Sequence, residues 1–176
     1  MSNDMDVSSA HAPLYVVEHA RKTVESPAGE LTILRDVNFE VHAGEALAIV
    51  GSSGGGKSTL LHILGTLDRA TGGRVLFEGR DLSALSAREA ALFRNRSLGF
   101  VFQFHHLLPE FTTVENVAMQ AVIAGMPRAR ALALAAEALE KVGLGERLNH
   151  HVTTLSGGEP LLHAGPVCRL LREAKT

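Results

Sequence analysis

One short stretch rich in glycine limits this chain to a small set of folds. Residues 51–58 read GSSGGGKS, which matches the pattern G-x-x-x-x-G-K-[ST] of a phosphate-binding loop. The preceding residues, ALAIV at 46–50, are apolar on both faces, as is typical of a central parallel strand. After the loop comes the i, i+3, i+4, i+7 spacing of an amphipathic helix, formed by Leu60, Ile63, Leu64 and Leu67. Strand, glycine loop and helix in this order predict an α/β fold built on a βαβ unit.

The loop residues predict how a polyphosphate and its metal ion are held. Glycines let the backbone curl so that successive N–H groups point at phosphate oxygens, and the positive end of the following helix adds to the attraction. We expect Lys57 to reach the β- and γ-phosphates and the Ser58 hydroxyl to ligate Mg²⁺. The strand before and the helix after disfavour a merely flexible turn, but kinase, GTPase and transport ATPase all stay open. The predicted nucleotide-binding residues here are Gly51, Ser52, Ser53, Gly54, Gly55, Gly56, Lys57, Ser58 and Thr59.

Composition narrows the class of protein further. The chain has 176 residues, of which 45% are hydrophobic and 20% charged, with a formal net charge of −2. These values indicate about one folded domain and lack the basic excess of nucleic-acid-binding proteins, so no nucleic-acid partner is expected. Cys168 is the single cysteine, which excludes an intrachain disulfide and fits a reducing compartment. With neither a signal peptide nor an apolar run of about 18 residues, we expect a cytoplasmic protein.

The rest of the chain predicts further strands and helices around the loop. Residues 1–13 are small and polar and are interpreted as a flexible tail. Alternation of apolar and polar residues predicts antiparallel strands within 14–45 and again at 74–78, and LGFVFQ at 98–103 predicts another buried strand. A capping box that begins at Thr112 predicts the start of one helix, and a second helix is predicted from about residue 129 to 142.

A second motif, LSGGE at 155–159, indicates how the phosphate site is used. Taken alone, Ser156 and Glu159 form a capping box, yet two glycines in a first helical turn cost about 1 kcal/mol each relative to alanine. Bare backbone N–H groups at a helix start bind phosphate, which explains the glycines. An LSGGE downstream of a phosphate loop resembles the signature of ATP-binding cassette (ABC) proteins. Within that family the stretch LGFVFQFHHLLPEFTTVENVAM resembles ATP-binding subunits of bacterial lipoprotein-releasing transporters, with macrolide-exporter and cell-division subunits as close alternatives.

The resemblance implies a P-loop NTPase fold with an antiparallel β subdomain and a helical subdomain at about 104–155. It implies that ATP and Mg²⁺ are cofactors, with Gln103 contacting the metal ion and the attacking water. It also implies a head-to-tail homodimer, in which the signature of one subunit touches the γ-phosphate bound by the other. Residues 104–117 would face transmembrane permease subunits, which places the chain peripherally at the cytoplasmic face of the inner membrane. The signature residues assigned to nucleotide binding are Ser156, Gly157, Gly158 and Glu159.

The sequence departs from the family pattern at two places. Residues 19–24 contain no aromatic side chain, although family members stack one on adenine at this point. After Glu159 the chain reads PLLHAGPVCRLLREAKT, without the apolar strand ending in Asp-Glu (Walker B) or the switch histidine. We therefore interpret 14–159 as an incomplete ABC domain, with the C-terminal part of its core missing, and 160–176 as an out-of-family tail of a truncated or frame-shifted product.

The missing acidic residues bear on activity. Without Walker B, Mg²⁺ lacks a carboxylate ligand and water lacks a general base, so we assign no catalytic residue and expect deficient hydrolysis. The alternatives are a nucleotide-binding fragment or interaction module without turnover and, less favoured, a small P-loop kinase. The adjacent histidine pairs 105–106 and 150–151 are interpreted as loop or surface residues rather than metal ligands.

Overall fold

The computed structural model describes residues 12–27, 29–102 and 107–151. The chain divides into two compact units, the first ending at Ala91 and the second beginning at Leu92, and each is described by itself. In the part of the chain that the structure describes, no helix is long and apolar enough to cross a membrane.

The first unit is built on a four-stranded antiparallel sheet. Its strands are β1 (Tyr15–Ser26), β2 (Gly29–Val41), β3 (Gly72–Phe77) and β4 (Arg80–Asp81), in the spatial order β2-β1-β3-β4. These strands confirm the antiparallel segments predicted from the alternating apolar residues. One face of the sheet is buried, and its core residues include Val17, Ala20, Leu34 and Val75.

Helix α1 (Lys57–Leu64) packs on this sheet and is fixed to β1 near its C-terminal end. Its Leu60 is 6% and its Ile63 4% exposed, as the amphipathic spacing predicts, whereas Leu67 lies beyond the end of the helix and is 45% exposed. The Tyr15 hydroxyl donates to the carbonyl oxygen of Leu64 at 3.1 Å. Just beyond the helix, Lys22 Nζ donates to Asp68 Oδ1 at 2.6 Å. The sheet therefore holds the end of the helix that lies away from the phosphate loop.

Helix α2 (Ala87–Ser97) was not predicted, although its start carries a readable signal. The Ser86 hydroxyl and backbone N–H both donate to Glu89 Oε2, at 2.7 and 2.9 Å. Ser86-x-x-Glu89 is a capping box, the pattern that correctly identified the helix after Thr112. Residues 86–89 therefore contain a local sequence signal for the start of this helix.

The predictions of buried strands at 46–50 and 98–103 are wrong for every residue of these segments that the structure describes. Neither 46–50 nor 98–102 is a strand. Their apolar side chains are largely exposed, with Val50 87% and Val101 72% accessible. A parallel strand is defined by hydrogen-bonded neighbours, whereas the described sheet is antiparallel and contains neither segment. An apolar sequence indicates a tendency to be buried, but it does not show that a neighbouring strand is available for hydrogen bonding.

The second unit contains two consecutive helices that pack against each other through buried alanine side chains. These are α3 (Thr113–Ile123) and α4 (Arg128–Lys141), followed by a 3₁₀ turn (Gly145–Arg147). The capping box predicted at Thr112 is confirmed, and the second helix lies one residue before its predicted bounds. Small side chains let the helices approach closely, and the buried contact consists of Ala118, Ala121, Ala131 and Ala135.

Candidate functional site

The segment after residue 45 leads through the phosphate loop into α1, and glycines of the loop adopt left-handed conformations. Gly54 has φ of 76° and Gly56 has φ of 79°, values that cost other residues about 1–2 kcal/mol. The Gly55 N–H donates to the carbonyl oxygen of Ser52 at 3.2 Å, which closes a tight turn inside the loop. Glycine thus occupies both of these left-handed positions, where the backbone requires it.

The side chain of Lys57 folds back onto the start of this loop. Its Nζ donates to the carbonyl oxygens of Gly51 at 2.9 Å and Ser52 at 2.6 Å. The ammonium group is therefore held at the loop by two backbone acceptors. A cation fixed at the loop attracts a polyphosphate anion, to which it can donate charge-assisted hydrogen bonds.

The N-terminal end of α1 carries no side-chain cap. Its N-cap is Gly56, which makes no side-chain hydrogen bond, and the first turn of this fully described helix has no acidic residue. The first N–H groups of a helix lack partners within the helix, and the helix dipole places partial positive charge there. An anion is the ligand that satisfies both properties.

The loop is pressed against strand β2 at Gly56. A Cβ atom at this position would lie 2.8 Å from Leu34 Cδ2 and 3.0 Å from the carbonyl oxygen of Ile33. Only a glycine fits without displacing the strand or the loop. The contact fixes the start of α1 relative to the sheet, as the Tyr15 and Lys22 hydrogen bonds fix its end.

The predicted nucleotide-binding residues fall into two groups. Residues 51–59 are described and form one continuous loop and helix start, with Ser58 exposed at its first turn. Gln103 and the signature residues Ser156, Gly157, Gly158 and Glu159 lie outside the described residues.

The site offers Mg²⁺ a hydroxyl and leaves the other ligands to the phosphates and water. The exposed Ser58 hydroxyl is suited to an ion that is already bound to phosphate oxygens. Among residues 12–27, 29–102 and 107–151, no cluster of three or more His, Cys, Asp or Glu side chains could hold a metal ion by itself.

The segment predicted to face a permease is described from residue 107 onward and is held by one side chain. Asn116 Nδ2 donates to the carbonyl oxygens of Leu108 at 3.0 Å and Phe111 at 3.2 Å, and its Oδ1 accepts the Leu108 N–H at 2.8 Å. This fixes the loop 107–112 on the first turns of α3. Leu108 is left 42% exposed at its surface.

Comparison with known proteins gives one family match and many similar sequences. The family model described as ABC transporter matches residues 34–162. Proteins described as lipoprotein-releasing system ATP-binding protein LolD are similar over most of the chain. Those of Nitratidesulfovibrio vulgaris and Oleidesulfovibrio alaskensis are 59% and 56% identical, over 87% and 83% of this chain. That of Shewanella denitrificans is 54% identical over 85% of it. The chain spans just under two thirds of these relatives, at 66%, 63% and 64% of their lengths.

Solved structures agree with this match. Two structures of the ATP-binding cassette MJ0796, both described as dimeric and one as a post-hydrolysis state bound to ADP and Pi, superpose with a TM-score of 0.78 at 30% identity. They cover 91% of this chain, which covers 70% of each of theirs.

Proposed function

This chain belongs to the ABC transporter family, and from that we propose that it is an ATP-binding subunit that binds Mg²⁺-ATP at residues 51–59. The observation that carries the proposal is the conformation of the phosphate loop. Left-handed glycines, a bare helix start and Lys57 held at the loop mouth together provide the donors and the charge that a triphosphate needs.

Lys57 has the central part in binding. In the structure its ammonium group is satisfied by the Gly51 and Ser52 carbonyl oxygens at 2.9 and 2.6 Å. A nucleotide competes for these donors, and we expect the β- and γ-phosphates to attract the ammonium more strongly than two neutral carbonyls do. Mg²⁺, when bound, neutralises charge on the phosphates, and the Ser58 hydroxyl is the ligand this chain supplies.

Calorimetric titration with Mg²⁺-ATP tests the binding site. We expect Lys57→Ala to weaken binding at least tenfold, because hydrogen bonds to charged groups contribute about 1.5–3 kcal/mol. Lys141→Ala, which removes an equal charge from the last turn of α4, is the matched control and leaves the affinity unchanged. Equal affinities of the wild-type chain and Lys57→Ala would refute binding at this loop.

For turnover, we propose that the 176-residue polypeptide binds ATP without hydrolysing it steadily. The support is chemical: residues 160–176 contain no apolar strand followed by Asp-Glu, so its sequence offers no Walker B base to activate water. Phosphate release by the purified polypeptide should equal that of Lys57→Ala. A Lys57-dependent release of several phosphates per chain each minute would overturn this proposal.

The proposed setting is a bacterial exporter that releases lipoproteins from the inner membrane, with this chain on its cytoplasmic face. Sequences 54–59% identical are described as ATP-binding proteins of a lipoprotein-releasing system. The cassettes that superpose with a TM-score of 0.78 are described as dimeric, which supports a dimer, and we propose that its subunits are arranged head to tail. The loop 107–112, held by Asn116, is the proposed contact with transmembrane permease subunits.

Recovery of transmembrane partners after cross-linking in native membranes tests the setting. Leu108→Glu places a charge on the loop and should abolish recovery, since Leu108 is 42% exposed. Leu31→Glu, on a side chain that is 56% exposed in β2, is the control and should leave recovery intact. Equal recovery of the partners with both variants would show that the loop 107–112 is not part of the interface.

A further inference from the structure

The part of α2 that belongs to the second unit is joined to α3 by one amide side chain. Asn95 Nδ2 donates to the backbone carbonyl oxygen of Gln120 at 2.9 Å and to its Oε1 at 3.4 Å. Side chains three or four residues apart lie on the same side of a helix. On α2, Leu92 and Arg96 therefore share the side that carries Asn95. On α3, Ile123 shares the side that carries Gln120.

Apolar side chains beside this junction are exposed. Ile123 is 57% exposed, Val122 next to it 38%, and Leu92 on α2 37%. A single exposed apolar residue is common on a folded protein, so these side chains alone do not identify a partner. The charges around them do.

The turn after α3 brings the start of α4 to the same end of the unit. The Met126 N–H donates to the carbonyl oxygen of Ala121 at 3.0 Å, which folds the chain back directly after α3. Two arginines, Arg128 and Arg130, lie in the first turn of α4. They are therefore close in the fold to the exposed end of α3.

The charge of this region is basic. Residues 92–100 and 116–136 contain four arginines and neither Asp nor Glu. One of the four, Arg128, is paired with Glu115, the acidic residue just before the second range, at 2.7 Å. Arg96 and Arg130 are exposed, and neither forms an ion pair within the part of the chain that the structure describes. Exposed apolar side chains here thus lie among guanidinium groups that are available to an anion.

We propose that a basic apolar surface, consisting of Leu92, Arg96, Val122, Ile123 and Arg130, binds the anionic headgroups of a lipid bilayer. Guanidinium groups bind phosphate oxygens, and apolar side chains enter the boundary between headgroups and acyl chains. A bilayer that contains anionic lipid offers both layers on one face, which matches the composition of this surface. The inference rests on the proposed setting at the inner membrane and adds to it a direct contact with lipid.

Sedimentation of the purified chain with lipid vesicles tests the contribution of charge. We expect binding to vesicles of phosphatidylcholine mixed with phosphatidylglycerol, but not to vesicles of phosphatidylcholine alone. Each arginine near such a surface strengthens binding about fivefold, so Arg96→Gln combined with Arg130→Gln should weaken it roughly thirtyfold. Arg35→Gln combined with Arg88→Gln, which removes two exposed arginines of the first unit, is the matched control and should leave binding unchanged.

Two further measurements test the same contact. Ile123→Ser should weaken binding to the anionic vesicles roughly fivefold, because less apolar area leaves water. Leu31→Ser, at a side chain that is 56% exposed in the first unit, is its control. Wild-type binding should also fall steeply with added salt, since the Debye length shortens from about 10 Å at 0.1 M to about 3 Å at 1 M. The salt dependence requires no variant and so does not depend on how a substitution affects folding.

The outcomes separate this inference from the proposed function. Equal binding to both kinds of vesicle, or equal losses from the two arginine pairs, would overturn the lipid contact. So would a wild-type chain that does not bind anionic vesicles, which is the result expected if the surface fits an acidic protein segment instead. Each of these results leaves ATP binding in place. Absence of Lys57-dependent ATP affinity would instead refute the nucleotide site and leave vesicle binding as it is.

Discussion

A side chain at Gly56 would incur two separate costs, and a neighbouring glycine allows them to be measured apart. The left-handed conformation at φ of 79° costs a non-glycine residue about 1–2 kcal/mol. An added Cβ would also lie 2.8 Å from Leu34 Cδ2 and 3.0 Å from the Ile33 carbonyl oxygen, and such overpacking costs about 1–3 kcal/mol. Leu34 can turn aside, but the backbone carbonyl cannot. Gly56→Ala should therefore lower the free energy of unfolding by roughly 2–5 kcal/mol.

Gly54→Ala is the matched control in the same loop. Gly54 has nearly the same φ, 76°, but nothing lies within 4 Å of an added Cβ, so only the conformational cost of about 1–2 kcal/mol applies. Urea denaturation followed by circular dichroism, extrapolated to water in nucleotide-free buffer, gives both free energies. The variants should differ by about 1–3 kcal/mol. Equal losses would show that the loop is not packed against β2 at Gly56, and the account of how the sheet positions the phosphate site would fail.

Three further predictions concern the contacts around the site. Thr112→Ala removes the N-cap of α3 and should cost about 1 kcal/mol, seen as a lower thermal midpoint, whereas Thr112→Ser should cost far less. Tyr15→Phe removes the hydrogen bond to Leu64 and should lower the free energy of unfolding, measured in urea, by about 0.5–1.5 kcal/mol. Burial raises the pKa of Tyr15 to about 12, so the hydroxyl stays protonated and this bond persists in mildly alkaline buffer. Partial burial raises the pKa of Asp68, but its hydrogen bonds, among them that from Lys22, outweigh this and leave the pKa below its ordinary value. The stability from this carboxylate is therefore present above the unfolded-state pKa of about 3.9 and is lost as the pH falls through the lower folded-state pKa. Asp68→Asn should flatten that part of the acid unfolding curve, and an unchanged curve would contradict the assignment.

The parts of the site that depend on local sequence were predictable. The phosphate loop requires glycine at particular backbone conformations, and the sequence supplies it at Gly54 and Gly56. The capping box at Thr112 likewise fixes a helix start within four residues, and the structure begins α3 at the next residue. Such signals need no information about distant parts of the chain.

Features that join distant residues were not predictable. Lys22 and Asp68 are 46 residues apart, and Thr113 and the His150 carbonyl are 37 apart, so nothing in either local sequence identifies the partner. The same reason explains the error at residues 46–50, where an apolar run was interpreted as a strand although strand formation depends on a neighbour elsewhere in the chain. Thr113 in particular has no distinguishing sequence context, and only the fold shows that its hydroxyl donates to the His150 carbonyl oxygen.

The relative affinities of ATP and AMP for the purified chain test the central claim most directly. The proposed binding at the phosphate loop depends on contacts of the β- and γ-phosphates with Lys57 and the loop N–H groups, and AMP lacks both phosphates. With several charge-assisted hydrogen bonds at about 1.5–3 kcal/mol each, ATP should bind at least about a hundredfold more tightly than AMP. Equal affinities would mean that the base, the ribose and the α-phosphate determine binding, and would contradict a site on residues 51–59 that holds the β- and γ-phosphates.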